Sequence, residues 1–222
     1  MIETVKNAWK IPELRKKLVF VLFAIVVFRF GHAIYVPFVD TASLATQFAT
    51  ISGGNLLGYF NTLSGGGLAT ASIFALSIYP YINSSIIIQL LQVAIPALER
   101  LAKDGGEEGK KKLQRITRYT TLALAIIMAF SYYLMLKSFG TVLTRTGTWS
   151  AIVIIATFVA GSMVVMWLGD QITEKGIGNG ISIILLVGIV SSGFSALTSI
   201  ISGLQSGTMQ WWAVIIILAL CV

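Results

Sequence analysis

The chain has 222 residues, of which 56% are hydrophobic and 11% are charged, and its formal net charge is +7. Soluble domains carry charge on about a quarter of their residues, so this composition argues against one. Apolar runs recur at about the 20 residues needed to cross a bilayer as a helix. The short alternating segments typical of a membrane β-barrel are not seen. The sequence therefore predicts an all-α, multi-spanning integral membrane protein.

The positive charge is concentrated in two short stretches beside apolar runs, the distribution expected at the cytoplasmic ends of membrane helices. We interpret it in that way and not as a surface for reading nucleic-acid bases. Cys221 is the single cysteine, which excludes an intrachain disulfide and a cysteine zinc cluster. His32 is the single histidine, and we expect neither a metal ion nor a cofactor.

Residues 1–17 are predicted to form a cytoplasmic amphipathic N-terminus, with Pro12 in the first turn of a new helix. The first span is predicted over 18–36 and is read as a retained span, since it is long for a signal peptide. Arg29 and His32 lie on one face of this span. They either extend toward the outer interface, which we favour, or make a buried structural contact.

Four further complete spans follow the first in chain order. They are predicted over 74–95 (interrupted by Pro80), 119–136, 150–168 and 181–203. The last apolar run, 211–222, has 12 residues and is too short to cross. We expect it to be the start of a truncated sixth span, and the chain to be a fragment of a longer protein.

The connection over 97–118 carries seven basic and four acidic residues, so we expect it to be cytoplasmic. Its glycines predict a flexible loop. Its basic group comprises Lys110, Lys111, Lys112, Arg115 and Arg118. A second cytoplasmic loop, 169–182, contains Asp170 and Glu174, and its Asn179 or Ser182 is expected to cap the next helix.

Motifs of catalysis are absent from the sequence. It has no HExxH, no carboxylate pair within a span and no nucleophile elbow, so we do not expect an enzyme. The alternative function is the N-terminal half of a secondary transporter, with a broken helix near Gly65–Gly67 forming a binding site. The lack of an acidic residue well inside any span weakens that alternative.

The apolar residues Ile78, Ile82 and Ile86 are four apart and would form one stripe on a helix. Such a stripe can line a narrow hydrophobic constriction. It can equally pack against a neighbouring helix or lipid, and periodicity alone favours packing.

Three long motifs resemble the SecY family, the channel subunits of the Sec protein translocon. They are VFRFGHAIYVPFVD at 27–40, SGGGLATASIFALSIYPYINSSIIIQLL at 64–91 and QITEKGIGNGISIILLVGIV at 171–190. The resemblance covers the whole chain but only the first half of the family's roughly ten spans. It implies that 18–203 is a SecY-like N-terminal half of a pseudo-symmetric channel.

The resemblance implies a passive protein-conducting channel in the bacterial plasma membrane, with a cytoplasmic N-terminus. Such a channel passes unfolded secretory chains and releases membrane segments into lipid. The implied partners are SecE-like and SecG-like single-span subunits, a SecA-like motor ATPase or the ribosome, signal peptides and nascent chains, membrane lipid, and the remaining C-terminal half.

The resemblance also implies site residues. Ile78, Ile82 and Leu185 match the aliphatic pore waist, where Leu185 departs from the usual isoleucine. Ile86 and Gln89 match the lateral gate. The plug, a short helix closing the pore from outside, matches Phe60, Asn61, Thr62, Leu63, Ser64, Gly65, Gly66, Gly67, Leu68, Ala69, Thr70, Ala71 and Ser72.

Small, uncharged residues predict that the plug makes weak contacts and has flexible ends. Ala69 and Thr70 stand where relatives can carry a charged residue, so no ionic contact is expected there. Pro80, Ser84 and Ser85 are expected to relax helix packing where the channel opens.

Overall fold

The computed structural model describes residues 11–51, 56–103, 105–145 and 147–205. In these ranges the chain forms eight helices and two isolated antiparallel bridges, Tyr35 with Ser72 and Val39 with Leu143. The predicted all-α class is confirmed. The predicted sixth span at 211–222, and the first ten residues of the amphipathic N-terminus, lie outside the described residues. The helices are α1 Pro12–His32, α2 Thr41–Ile51, α3 Leu56–Leu63, α4 Tyr79–Ala94, α5 Pro96–Lys103, α6 Gly106–Ser138, α7 Thr148–Lys175 and α8 Gly180–Gln205.

A helix lies at each of the five predicted complete spans. Within the described residues, α6 and α7 are long and apolar enough to cross a membrane, and α4 with α5 would form a third, broken span bent by 103°. The part of α8 over Gly180–Gly193 is a shorter apolar helix. How many of the five helices cross a bilayer stays a prediction.

Proline sets the ends of two helices. Pro12 is the first residue of α1, as predicted. The prediction of a helix from residue 74 with a break at Pro80 is wrong, because 74–78 form turns and Pro80 lies in the first turn of α4. At the other end, Ile95 is extended because it precedes Pro96, and α4 stops there.

The two charged connections, which were predicted to be cytoplasmic, are more helical than expected. Most of 97–118 belongs to α5 and the start of α6, so the predicted flexible loop is wrong and its basic group lies on α6. The second of these helices begins at Gly106, whose φ is +53°. In the second connection, Asp170 and Glu174 lie on α7. Asn179 caps α8, since its Oδ1 accepts a hydrogen bond from the Ile181 amide at 3.0 Å.

A non-helical stretch, residues 64–78, joins α3 to α4, and we call it the glycine segment. It contributes to both apolar clusters of the described chain. Leu68, Ala71 and Leu76 pack in the first cluster, with Tyr132 of α6 and Phe158 of α7. Phe74 and Ile78 pack in the second, with residues of α1, α7 and α8. The segment therefore lies between the helices and not on the surface of the bundle.

Candidate functional site

The glycine segment has an unusual backbone for a buried stretch. Gly65 and Gly66 have φ values of +71° and +88°, which glycine adopts without steric cost. Ala71 and Ser77 also have positive φ, at +46° and +47°. Non-glycine residues in that region are strained by about 1 kcal/mol or more, and such strain is typical of segments that take part in function.

Two polar residues of α1 contact this region. The His32 Nε2 atom lies 2.7 Å from the Ser64 carbonyl oxygen, and its Nδ1 lies 3.1 Å from the Phe28 carbonyl oxygen. Arg29 donates a hydrogen bond of 2.7 Å to the Val187 carbonyl of α8. The favoured prediction, that both side chains extend to the outer interface, is wrong. Both are half-buried and make structural contacts, which was the alternative.

Side chains also bind the backbone of this region from α6 and α8. The buried Tyr132 hydroxyl donates to the Leu68 carbonyl at 2.5 Å. The Ser192 hydroxyl donates to the Thr62 carbonyl at 2.8 Å. Inside the region, Asn61 Oδ1 accepts from the Ala69 amide at 2.9 Å. Hydrogen bonds to backbone carbonyls therefore connect the region to its neighbours, because its small side chains expose these carbonyls to donors on other helices. Whether these contacts are weak stays a prediction.

Three glycines in helices allow the glycine segment and the end of α3 to pack closely against those helices. A Cβ atom at Gly31 of α1 would lie 1.9 Å from the Phe74 ring, and one at Gly161 of α7 would lie 2.0 Å from the Ile73 carbonyl oxygen. A Cβ at Gly188 of α8 would lie 2.5 Å from the Leu63 carbonyl oxygen. These glycines, with His32, Tyr132 and Ser192, form what we call the seat of the segment.

The residues matched to the plug fall into two structural parts. Phe60 to Leu63 belong to α3, whereas 64–71 are turns and Ser72 forms the bridge with Tyr35, so the expected short helix covers only the beginning of this range. Phe60 and Thr62 are exposed, and the other residues are half-buried or buried. One polar atom, Ser72 Oγ, is buried without a hydrogen-bond partner among the described residues. An unsatisfied group of this kind costs about 1–3 kcal/mol.

The residues matched to the pore waist share the second apolar cluster. Ile78 is 1% exposed, while Ile82 and Leu185 are partly buried. Ile78 precedes α4, so the predicted three-residue helical stripe is wrong, and only Ile82 and Ile86 lie on the helix. Ile86 is 50% exposed. Gln89, which was also matched to the lateral gate, is exposed, and its side chain donates a hydrogen bond to Ser85 in its own helix.

The basic group includes one contact between helices. Arg118 of α6 donates to the Asp170 carboxylate of α7 at 2.7 Å, and the Asp170 side chain is 12% exposed. Lys110 makes an exposed ion pair with Glu107 at 3.6 Å. Lys111, Lys112 and Arg115 line a small surface depression with Glu108. The group thus combines one interhelical contact with an exposed basic surface.

Some residues of the seat are recognisable from sequence. Arg29 and His32 were identifiable because polar residues inside a span usually have a protein partner. Glycine inside an apolar helix indicates close packing, so this pattern could have identified Gly31, Gly161 and Gly188. Tyr132 and Ser192 had none, because each lies far along the chain from the carbonyl that it binds.

The fold and the site define a helical membrane protein that contains a turn-rich, charge-free segment packed among its helices. Non-helical backbone at such a position is tolerated where protein surrounds it or where it lines a water-filled cavity. A family model described as SecY matches residues 72–222. The chain belongs to the SecY family. This membership removes the basis for the transporter alternative.

Individual relatives agree with the family match. The protein translocase subunit SecY of Rickettsia conorii is 41% identical over 214 residues, which are 95% of this chain and 48% of that protein. The corresponding Escherichia coli K12 protein is 41% identical over 212 residues, which are 94% and 47% of the two chains. The chain therefore spans about half the length of the curated relatives that it matches.

Solved structures show the same fold. One described as "The structure of a protein conducting channel" matches with a TM-score of 0.60 and 17% identity, over 87% of this chain and 42% of that one. Another, "Sec61 in the Canine ribosome-channel complex from the endoplasmic reticulum", matches with a TM-score of 0.58 and 17% identity. It covers 87% of this chain and 42% of the Sec61 chain.

Proposed function

We propose that this chain forms the N-terminal half of a protein-conducting channel in the bacterial plasma membrane, with its N-terminus in the cytoplasm. The channel passes unfolded secretory chains across the membrane and releases membrane segments into lipid. Membership of the SecY family and the bacterial translocase subunits that share 41% identity support this function. Conduction needs no catalytic step or cofactor in this chain, so the energy comes from a partner.

The observation that carries the proposal is the glycine segment between two apolar clusters. Its residues 64–72, together with 60–63 at the end of α3, form the plug. Its own side chains carry no charge, and its contacts to the helices are a few hydrogen bonds to backbone carbonyls. Two features lower the cost of leaving the closed position: the strain at Ala71, and the Ser72 hydroxyl, which has no hydrogen-bond partner among the described residues.

The pore waist in this proposal consists of Ile78, Ile82 and Leu185. All three are aliphatic members of one cluster, and none offers a polar side-chain atom to a passing polypeptide. A constriction of this kind yields to many sequences and excludes water when closed. Ile86 and Gln89 lie exposed on α4, where the remaining half of the channel completes the lateral gate.

The proposed partners complete the channel and drive it. They are the C-terminal half, SecE-like and SecG-like subunits, and a SecA-like motor or a ribosome, which delivers signal peptides and nascent chains. A ribosome is named with the related canine Sec61 channel. The exposed basic residues of α6 suit an acidic or RNA-containing partner surface, because they are solvated and largely unpaired with other helices.

The proposal is tested by placing a cysteine at Ile82 in the full-length protein without Cys221. A translocating chain that carries a thiol-reactive probe is stalled in the channel. We expect a crosslink to Ile82→Cys, because the waist surrounds the passing chain. The matched control is Phe23→Cys on α1, where the native side chain is 64% exposed on the outside of the described bundle. Crosslinks at Phe23→Cys without one at Ile82→Cys would contradict the assignment of Ile82 to the pore waist.

A further inference from the structure

Arg29 of α1 binds α8 close to one of the residues matched to the pore waist. Its Nη2 atom donates a hydrogen bond of 2.7 Å to the carbonyl oxygen of Val187. Val187 follows Leu185 by two residues, a rise of about 3 Å along the helix. A bond from a charged guanidinium is stronger and more directional than one from a neutral side chain. Arg29 therefore restrains the position of the part of α8 that carries Leu185.

The space between α1 and α8 beside Arg29 is not filled by side chains. A cleft of about 450 Å³ lies there, and its walls are formed by Ile25, Arg29, Leu186, Val187, Val190 and Ser191. Close packing would fix the two helices through many small contacts, whereas an open cleft leaves few of them. The hydrogen bond from Arg29 therefore sets how near these parts of α1 and α8 come.

Arg29 has no competing carboxylate among the described residues. The ion pairs of those residues join Lys103 with Glu99, Lys110 with Glu107 and Arg118 with Asp170. By helical rise, Arg29 lies about 16 Å beyond Leu18, where the first span is predicted to begin. A guanidinium at that depth needs a protein acceptor or water. Within the described part of the chain, the Val187 carbonyl is the acceptor that it has.

The glycine segment meets the same guanidinium. A Cβ atom placed at Gly65 would lie 3.4 Å from Arg29 Nη1 and 3.3 Å from the Cα atom of Gly188. Gly188 follows Val187, so the segment passes the guanidinium and the α8 backbone at the point where the two are bonded. Gly65 has a φ of +71°, which glycine adopts without steric cost. The segment in its place therefore confines the guanidinium beside the Val187 carbonyl.

We propose that Arg29 is a positioning residue that couples the glycine segment to the pore waist. With the segment in place, the confined guanidinium holds α8 so that Leu185 stays in the second apolar cluster with Ile78 and Ile82. When the segment leaves, Arg29 loses this confinement, its bond to α8 weakens, and Leu185 is free to move away from the cluster. This role rests on the proposed function only in that these three aliphatic residues form the waist of a channel.

The test measures how fast a cysteine at Leu185 reacts with a water-soluble thiol reagent. The full-length protein without Cys221 is placed in inside-out membrane vesicles, and the reagent is added on the cytoplasmic side, opposite to the plug. The reaction rate reports the population in which Leu185→Cys has left the cluster. Arg29→Met keeps a long unbranched side chain but removes the charge and the donors. We expect it to raise the rate at least about tenfold, the shift that loss of one charged hydrogen bond produces.

Two matched variants separate positioning from general destabilisation. Arg29→Lys keeps the charge and an N–H donor, so it should restore most of the native rate. Ile25→Ala, one turn earlier in the same cleft, removes packing but no hydrogen bond, so it should lower the unfolding temperature and leave the rate unchanged. Equal rates with native Arg29 and with Arg29→Met would overturn the proposal. A rise in Ile25→Ala as large as that in Arg29→Met, or no recovery with Arg29→Lys, would overturn it as well.

The coupling to the segment is tested with Tyr132→Phe, which loosens the segment from α6 by removing a bond to the Leu68 carbonyl. This change should speed the reaction of Leu185→Cys when Arg29 is present, and it should add little in Arg29→Met, where α8 is already released. Purely additive effects of the two substitutions would contradict the coupling.

Ion conductance is recorded on the same variants. If the rate at Leu185→Cys changes but the resting conductance does not, Arg29 positions α8 and the waist assignment is contradicted. If the conductance rises while the rate stays at the native value, the positioning role is contradicted and the channel function stands. The two proposals therefore fail separately.

Discussion

Tyr132 offers the sharpest test of whether the glycine segment closes the channel. Its side chain is 6% exposed, its hydroxyl donates to the Leu68 carbonyl, and its ring packs edge-on against Phe158 at 5.0 Å. Tyr132→Phe removes one oxygen atom and keeps the ring. The change therefore reaches the segment through a single hydrogen bond.

The size of the effect follows from that bond. Loss of a buried neutral hydrogen bond costs about 0.5–1.5 kcal/mol, and an acceptor left unsatisfied raises the cost toward 2 kcal/mol. If the bond exists only in the closed state, its whole free energy shifts the closed-to-open equilibrium. Since about 1.4 kcal/mol is a factor of ten, the open population should rise about two- to thirtyfold.

The assay is single-channel recording of the resting full-length protein in a planar bilayer. The matched control is Tyr133→Phe, on the next residue of α6, whose hydroxyl makes no hydrogen bond to the described residues. We expect Tyr132→Phe to open far more often than the control. If both variants leave the resting conductance unchanged while Tyr132→Phe lowers the thermal stability, the bond is structural and the closed-state reasoning is refuted.

Three further predictions concern other contacts. Gly188→Ala should disturb the segment, because its Cβ would lie 2.5 Å from the Leu63 carbonyl oxygen. The control Gly193→Ala, on the same helix, meets open space and should raise stability by up to about 1 kcal/mol. Thermal unfolding and resting conductance are measured for both variants, and equal behaviour would argue against the close approach at Gly188. Arg118→Leu should lower the free energy of unfolding by about 1–3 kcal/mol, because it leaves the Asp170 carboxylate unpaired. Adding Asp170→Leu should recover part of the lost stability. A double variant as unstable as the sum of the two single variants would contradict an interaction between these side chains. Hydrogen bonds to Asp40, first from the Ser43 hydroxyl and then from the Ala42 amide, hold the pKa of its carboxyl group below the usual 3.8. The resulting stabilisation of α2 is present above pH 3.8 and is lost as the pH falls through the folded-state pKa. Hydrogen exchange in Thr41–Ile51 should therefore accelerate in acid, and Asp40→Asn should abolish this acceleration.

The contacts of the glycine segment also explain why deleting 61–71, most of the proposed plug, is a poor first experiment. Removing 61–71 takes away Leu68 and Ala71, which are buried in the first apolar cluster, as well as the partners of His32 and Tyr132. A rise in ion leak after such a deletion would mix loss of the closure with damage to the bundle. Single-atom changes at the seat separate these effects.

Local chemistry in the sequence determined the helices and the family. Each of the five spans predicted from an apolar run contains a helix in the structure. Pro12 marked the start of α1, and Asn179 marked the cap of α8. These features depend on residues within a turn or two of one another, so their physics is readable from the chain. The long motifs at 64–91 and 171–190 carried the resemblance that the family match confirmed.

Tertiary structure alone decided which groups meet across the bundle. Arg29 binds the carbonyl of Val187, and Tyr132 that of Leu68. Hydrophobic periodicity reports which face of a helix is apolar, but not which carbonyl a distant donor reaches. The closest approaches of the glycine segment depend in the same way on where α1, α7 and α8 cross it. The sequence thus determined that a charge-free, glycine-rich segment precedes a helix, and the packing determined that this segment is fixed to its neighbours through backbone carbonyls.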